Sequence, residues 1–390
     1  MVVNSRRSAA NQGEGDYSRY RPRPSIFRED RPHRPLRLLF LMGSTDISGG
    51  SYVILQHVLE SEARGDEVTI TSIFEPTAAS TSWHPAYDHL RIATLDEVAN
   101  EEFDVAIATW WRTVYELDRV RARHFTYFVQ SIESRFYDPS DSQVRALADA
   151  TYDLPLTVIT ETPWIQWYLA FEHGRPAVLV PNGVEKSLYT PVGPVIAQRE
   201  ERKLRVLIEG PLGVPMKNVE RTVELVSKAS PAKTWLLTSS DVDALDGVDR
   251  VFSRVPVTTV PAIYRSCDVL VKLSLVEGMF GPPLEMFHCG GTTICWDVTG
   301  HEDYVVNDVN GLVVGTGDDD GTVEAIRYLA AQELELRRLQ RGALETAARW
   351  PSWLDSSRRF RDALEVISRQ PTVSHDDIAA AAARGRALLS

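Results

Sequence analysis

Cysteine is scarce in this chain. Its three residues in 390, Cys267, Cys289 and Cys295, form no CxxC pair and join no His/Cys cluster. That pattern speaks against a disulfide framework and a structural zinc, and it fits a reducing compartment. Long apolar runs are missing too. Nowhere do about 18 apolar residues follow one another, so no membrane-spanning helix is expected. The N-terminus lacks the apolar stretch of a secretory signal, and a cytoplasmic location is the expectation. An excess of basic charge is also absent. Forty-two Lys and Arg face 54 Asp and Glu, a net charge of −12, which argues against broad nucleic-acid binding. The balance is uneven: residues 1–37 hold nine arginines against four carboxylates, or +5, which leaves −17 for the rest.

What is present is an ordinary globular composition, 43% hydrophobic and 25% charged, with length enough for two domains of roughly 100–200 residues each. Residues 1–35 are rich in Arg, Pro, Ser and Gly without periodicity and read as a disordered basic arm. Its arginines, with Tyr17 and Tyr20, suit peripheral contact with an anionic membrane surface; a solvated leader without a role is the alternative. Order begins at residues 36–42, LRLLFLM, an apolar run of the kind found in buried parallel strands. A Gly49-Gly50 loop and a helical pattern ending at Gly65 follow. EVTITSIF, FDVAIATW, HFTYFVQ, LTVITET and AVLVPNGV continue as strands. After a linker-like stretch, 190–202, the series restarts with LRVLIEG, TWLLTSS, DVLVKLS, TTICW and GLVVG, and ends in a helical region over about 322–366. Strands alternating with helices imply parallel sheets. Two Rossmann-like domains are therefore expected, over 36–190 and 191–350, with a ligand cleft between the carboxyl ends of their strands.

The most informative stretch is residues 277–296, EGMFGPPLEMFHCGGTTICW. Proline is tolerated in the first helical turn, where its missing N–H is not needed. A helix thus begins near Pro283 and stops at Gly290-Gly291. Glu277 lies in the loop before it and Glu285 about one turn inside. The loop Gly278, Met279, Phe280, Gly281, Pro282 and the free N–H groups of the first turn make a concavity suited to an anion. Two carboxylates bracket it, and a carboxylate accepts two hydroxyl hydrogen bonds. A phosphate between hydroxyl-rich ends, as in a nucleotide-sugar, has the matching shape.

Four segments, in order, resemble the family-four glycosyltransferases: ISGGSYVILQHVLESEARGDEV; VPNGVEKSLYTP (180–191); the Glu-x7-Glu block with its preceding VPAIYRSCDVLVKLSLVEG; and GHEDYVVNDVNGLVV. Together they span roughly residues 36–360. A lone Glu-x7-Glu is weak, but the ordered set is specific. YFVQSIESRFY (127–137) is similar to a branch that includes rhamnosyltransferases. The resemblance implies the GT-B fold, two Rossmann-like domains facing across a cleft, with C-terminal helices over 351–390 crossing back to the first domain and anchored by Trp350 and Trp353. It implies a retaining, metal-independent transfer of a hexosyl or deoxyhexosyl group from a UDP, dTDP or GDP sugar to a hydroxyl acceptor such as a polysaccharide, with no cofactor. Glu277 is implied to meet the donor sugar, Glu285 the ribose, Lys217 the leaving diphosphate, Gly49 and Gly50 the donor, Arg254 and Val255 the base, and Gln130 and Glu133 the acceptor side.

One departure stands out. Where the family carries an arginine in a "GRL" sequence, this chain reads Gly210-Pro211-Leu212. Either Lys217 works with backbone amides alone, or another cation such as Arg254 or Lys272 substitutes; the alternative is a silent homologue that binds without turnover. A sugar-nucleotide epimerase on the same fold is a further alternative. Asp318-Asp319-Asp320 reads as a solvated turn and not as a metal site, SSDVDALD lacks the glycine and terminal glutamate of a calcium loop, and His288 reads as a packed residue.

Overall fold

The computed structural model describes residues 34–372 and 374–389. The basic arm expected over residues 1–35 therefore lies, apart from Arg34 and Pro35, outside the described residues. Arg34 itself pairs with Asp104 at 2.8 Å.

Two parallel sheets organise the chain. The first contains β1 (Arg37–Met42), β2 (Glu67–Ser72), β3 (Arg91–Ile92), β4 (Glu102–Ala108), β5 (Arg121–Val129), β6 (Thr157–Thr160) and β7 (Ala177–Leu179), in the order β3-β2-β1-β4-β5-β6-β7. The second contains β8 (Arg205–Glu209), β9 (Lys233–Thr238), β10 (Arg250–Ser253), β11 (Val269–Lys272), β12 (Thr292–Trp296) and β13 (Gly311–Val314), in the order β10-β9-β8-β11-β12-β13. Both orders reverse beside the first strand of the sheet, β1 between β2 and β4, and β8 between β9 and β11. That reversal opens a ligand crevice at the carboxyl ends of the strands.

Period-two alternation explains how one apolar run serves two cores. In β1, Leu38, Phe40 and Met42 enter one core and Leu39 and Leu41 the other. In β8, Val206 and Ile208 face one side and Leu207 the opposite one. Helices turn their apolar faces onto both sides of each sheet. The Gly49–Ala63 helix is capped by Ser48, whose side chain accepts from Ser51 N–H, and the chain turns away at Gly65 with φ +88°.

The helical region expected over 322–366 resolves into three helices, Asp319–Ala331, Glu333–Arg349 and Trp353–Ile367. Pro351 separates the last two, and Ser352 with Asp355 forms the capping box of the third. That third helix lies on the first domain. Phe360 stacks on His57 at 4.1 Å, Ser357 is hydrogen-bonded to His57 Nδ1 at 3.1 Å, and buried Arg361 pairs with buried Asp66. Trp353 packs into the core of the first domain and Trp350 against that of the second. The two places where the chain passes between domains touch each other: Val184 N–H donates to Pro351 O at 3.2 Å, and Trp353 N–H to Val184 O at 3.3 Å. A Cβ on Gly183 would stand 2.4 Å from the Ser352 backbone, so the glycine of the Pro-Asn-Gly segment is required by this crossing.

Candidate functional site

The site grows from the carboxyl ends of β8 and β11, the neighbouring strands at the reversal of the second sheet. After β8 the chain forms a single 3-10 turn, Pro215–Lys217, and Asn218 takes a left-handed conformation at φ +54°. Asn218 Nδ2 donates to Leu273 O at 2.9 Å and Leu275 N–H to Met216 O at 2.8 Å, so the loops after β8 and β11 are tied together. This brings Lys217 onto Glu277. The ammonium donates to both carboxylate oxygens, at 2.9 and 2.8 Å.

Lys272, the last residue of β11, lies beneath this pair. Its side chain is only 3% exposed, and its ammonium donates to Glu209 Oε2 at 2.6 Å and lies 3.9 Å from Glu277 Oε1. Glu209, Lys272, Glu277 and Lys217 thus form a chain of alternating charge. Burial opposes ionisation of Glu277, but Lys217 and Lys272 outweigh it and hold its carboxyl below the ordinary range. Burial likewise opposes the charge on Lys272, and Glu209 and Glu277 outweigh it to raise its pKa. A Cβ on Gly210 would lie 3.8 Å from the Lys272 ammonium. Of the two candidate substitutes for the arginine absent at Pro211, Lys272 is therefore the one in the cluster. Arg254, at φ +49°, turns instead to Ser239 O and Asp241. Val255 is half-buried against the core of the second domain.

The helix expected near Pro283 runs over Gly281–His288, with Pro282 and Pro283 in its first turn, and the chain leaves it through Gly290 at φ +79°. Glu285 sits one turn inside. Burial and the nearby Glu209 push its carboxyl up to about 7, opposed by hydrogen bonds from Tyr264 and Tyr189. Phe280, named with its neighbours as part of the donor loop, is fully buried in the core of the second domain, and its carbonyl accepts from Tyr304 OH.

The first domain supplies a second set of groups. Gly50 and Gln130 meet, since a Cβ on Gly50 would lie 3.4 Å from Gln130 Oε1, whereas Gly49 has open space around it. Gln130 O lies so close to Gly278 that a Cβ there would approach it to 1.9 Å. Glu133 is directed inward: its Oε2 accepts from Trp111 N–H at 2.6 Å and Tyr127 OH at 2.8 Å, and burial pushes its carboxyl up to about 8. Two residues that sequence reasoning missed, Glu161 and Trp164, reach across to the second domain. Glu161 Oε1 accepts from Met279 N–H at 3.1 Å, and Trp164 Nε1 donates to Gly278 O at 2.9 Å. Both follow the carboxyl end of β6, a position that could have flagged them.

Among the described residues, no group of three or more His, Cys, Asp or Glu side chains is placed to hold a metal ion. Asp318 is no idle turn residue: its side chain caps the Asp319–Ala331 helix by accepting from Gly321 N–H at 2.9 Å, and Asp319 pairs with Arg221. His288 is buried with Nδ1 on Leu284 O at 2.8 Å. The three cysteines are free and buried, and no described helix is long and apolar enough to cross a membrane.

Residues 246–346 match the family model described as glycosyl transferases group 1. A curated relative, the O-antigen biosynthesis protein RfbC of Myxococcus xanthus, is 25% identical over 283 residues, which are 70% of this chain; the match spans only 22% of that protein's length. Among solved structures, HepE of Anabaena in complex with UDP and glucose superposes with a TM-score of 0.68 at 14% identity, covering 85% of this chain and all of the other. The sucrose-phosphate synthase of Thermosynechococcus elongatus gives 0.64 at 17% identity, over 83% and 97%. WaaG, a glycosyltransferase involved in lipopolysaccharide biosynthesis, gives 0.64 at 12% identity, over 85% and 100%. The chain has the GT-B fold of these glycosyltransferases, and the stretch matching the group 1 model lies in its second domain, around Glu277 and Glu285.

Proposed function

We propose that this protein is a retaining glycosyltransferase that moves a hexosyl or deoxyhexosyl group from a nucleotide-diphosphate sugar to a hydroxyl of a glycan, lipid-linked glycan or natural product, without a metal. The observation that carries the reading is the alternating Glu209–Lys272–Glu277–Lys217 chain at the strand-order reversal. Lys217, the more exposed of the two lysines, stabilises the diphosphate as charge develops on it, and Lys272 adds buried positive charge in place of the family's arginine. Glu277 accepts sugar hydroxyls and Glu285 ribose hydroxyls. The bond from the anomeric carbon to the diphosphate oxygen breaks, the acceptor oxygen bonds to the same face, and the acceptor proton passes to the departing diphosphate. Domain closure excludes water, which would otherwise hydrolyse the donor. Polysaccharide assembly fits the O-antigen relative, and UDP is the first donor nucleotide to try because HepE binds it.

The test is a thermal-shift screen against UDP, dTDP, GDP and ADP without added metal, on wild type and Glu285→Ala. A shift for one nucleotide that disappears in the variant supports the donor class and the site. Absence of any shift overturns the reading in favour of a different ligand. A shift without turnover of the corresponding nucleotide-sugar marks a silent homologue, and conversion of that sugar without an acceptor marks an epimerase.

A further inference from the structure

Three consecutive residues of the loop before the Gly281–His288 helix are clasped from different directions. Glu277 O accepts from Thr299 Oγ1 at 3.2 Å, Gly278 O from Trp164 Nε1 at 2.9 Å, and Met279 N–H donates to Glu161 at 3.1 Å. Two of the three partners belong to the first domain, and Gly278 has no spare space. A Cβ on it would meet Gln130 O at 1.9 Å, and one on Gly300, itself at φ +91°, would meet Gly278 O at 2.1 Å. The clasp is also dry: Glu161 is 5% exposed and Trp164 2%.

Glu161 is unusual in another way. Among the described residues its carboxyl group pairs with no cation; its partners are Asn182 Nδ2 at 2.8 Å, on the segment leaving the first domain, and Met279 N–H. A buried carboxyl group without a counter-ion, pushed up to about 8 by burial, is a poor choice for stability alone. One that offers an oxygen to each of two segments is a good choice for fixing their distance.

We propose that Glu161 and Trp164 are positioning residues, side chains of the first domain that set the Glu277–Met279 loop of the second and make Glu277 competent only when the domains are closed. The inference rests on the glycosyl-transfer reading for its catalytic consequence, and on geometry alone for the clasp. Closure and donor-side assembly become one event, because the groups that bring the domains together also orient the carboxylate held by Lys217. A displacement of about 1 Å at such a loop is enough to cost about 100-fold in rate.

Three full-length variants test this. Glu161→Ala removes the acceptor, and Trp164→Phe keeps a ring but loses the N–H. Glu161→Gln keeps an oxygen for Met279 N–H, and its amide nitrogen can donate to Asn182 Oδ1, a buried atom that now has no partner, once the Asn182 amide turns over. With the nucleotide-sugar turned over by wild type, UDP-glucose first, kcat is expected to fall about 10- to 100-fold in Glu161→Ala and Trp164→Phe. The dissociation constant for UDP should stay within about 3-fold of wild type, and Glu161→Gln should keep most of the activity. A Glu161→Gln enzyme as slow as Glu161→Ala would overturn the proposal in favour of a proton-carrying role. Unchanged kcat in both Glu161→Ala and Trp164→Phe would overturn it as mere packing. Hydrogen–deuterium exchange of residues 277–281 separates this from failure of the functional reading. Faster exchange in Glu161→Ala than in wild type supports the clasp even without turnover, and equal exchange overturns it.

Discussion

Both carboxylate oxygens of Glu277 accept from the ammonium of Lys217. Each side chain therefore sets the position of the other, and neither can be removed alone. Lys217→Ala is expected to lower kcat about 100- to 1,000-fold, the usual consequence of losing one group that stabilises a developing negative charge. Glu277→Ala should also act mainly on turnover. Steady-state kinetics with a UDP sugar checks both, and wild-type kinetics in either variant would remove that residue from the mechanism.

Lys272 gives a stability prediction. Replacing it by methionine leaves the carboxylates of Glu209 and Glu277, 24% and 6% exposed, without the buried cation that lies between them. Breaking a buried pair on one side costs about 3–5 kcal/mol, to be read by denaturant unfolding. Adding Glu209→Gln to Lys272→Met should recover part of the loss. If the double variant is no more stable than the single, the repulsion argument fails.

Glu133 makes stability depend on pH. Its carboxyl is raised by burial from 4.5 to about 8, so the folded chain keeps a proton that the unfolded chain gives up. The associated stability is complete below about pH 4.5 and is lost as pH rises through about 8, with a slope of up to about 1.4 kcal/mol per pH unit for the one proton. Glu161 and Asp303, raised by burial to about 8, act with the same sign. In Glu133→Gln the amide oxygen still accepts from Trp111 N–H and Tyr127 OH. Melting temperatures across pH 5–9 should therefore decline less steeply than in wild type; parallel curves would show that Glu133 stays ionised.

Gly278 tests the contact between domains without touching a charged group. In Gly278→Ala the new methyl must displace the Gln130 carbonyl, which pushes the first domain away from the donor loop. Turnover should fall at least 10-fold, by the misplacement argument, while UDP affinity measured by calorimetry changes little. A variant with full activity would mean that the loop can yield without consequence.

Much of this arrangement was legible in the sequence, and the boundary of legibility has a physical cause. Strand and helix periodicity, the two prolines before Leu284 and the glycines at 290–291 located the Gly281–His288 helix to within two residues, because they are local signals. Glu277 and Lys217 were named separately through the ordered resemblance; that they pair was not legible, since 60 residues separate them. Glu161 and Trp164 could have been flagged only by their place after β6: their partners in the second domain are backbone atoms, and no side-chain pattern records a contact with a peptide group. The burial of Phe280 was not legible either, because tertiary packing and not its loop neighbours buries its ring completely. Lys272 could be named as a candidate, but only burial and distance separate it from Arg254.

The contact of Val184 with Pro351 and Trp353 has a mechanical consequence. Two separate strands of linker would let the domains twist, slide and part independently. Joined by backbone hydrogen bonds, with Gly183 admitting the close approach, they behave as a single pin. Trp350 is seated in one body and Trp353 in the other. Any movement of one body against the other must therefore act on both linkers at once, through the two peptide hydrogen bonds that join them.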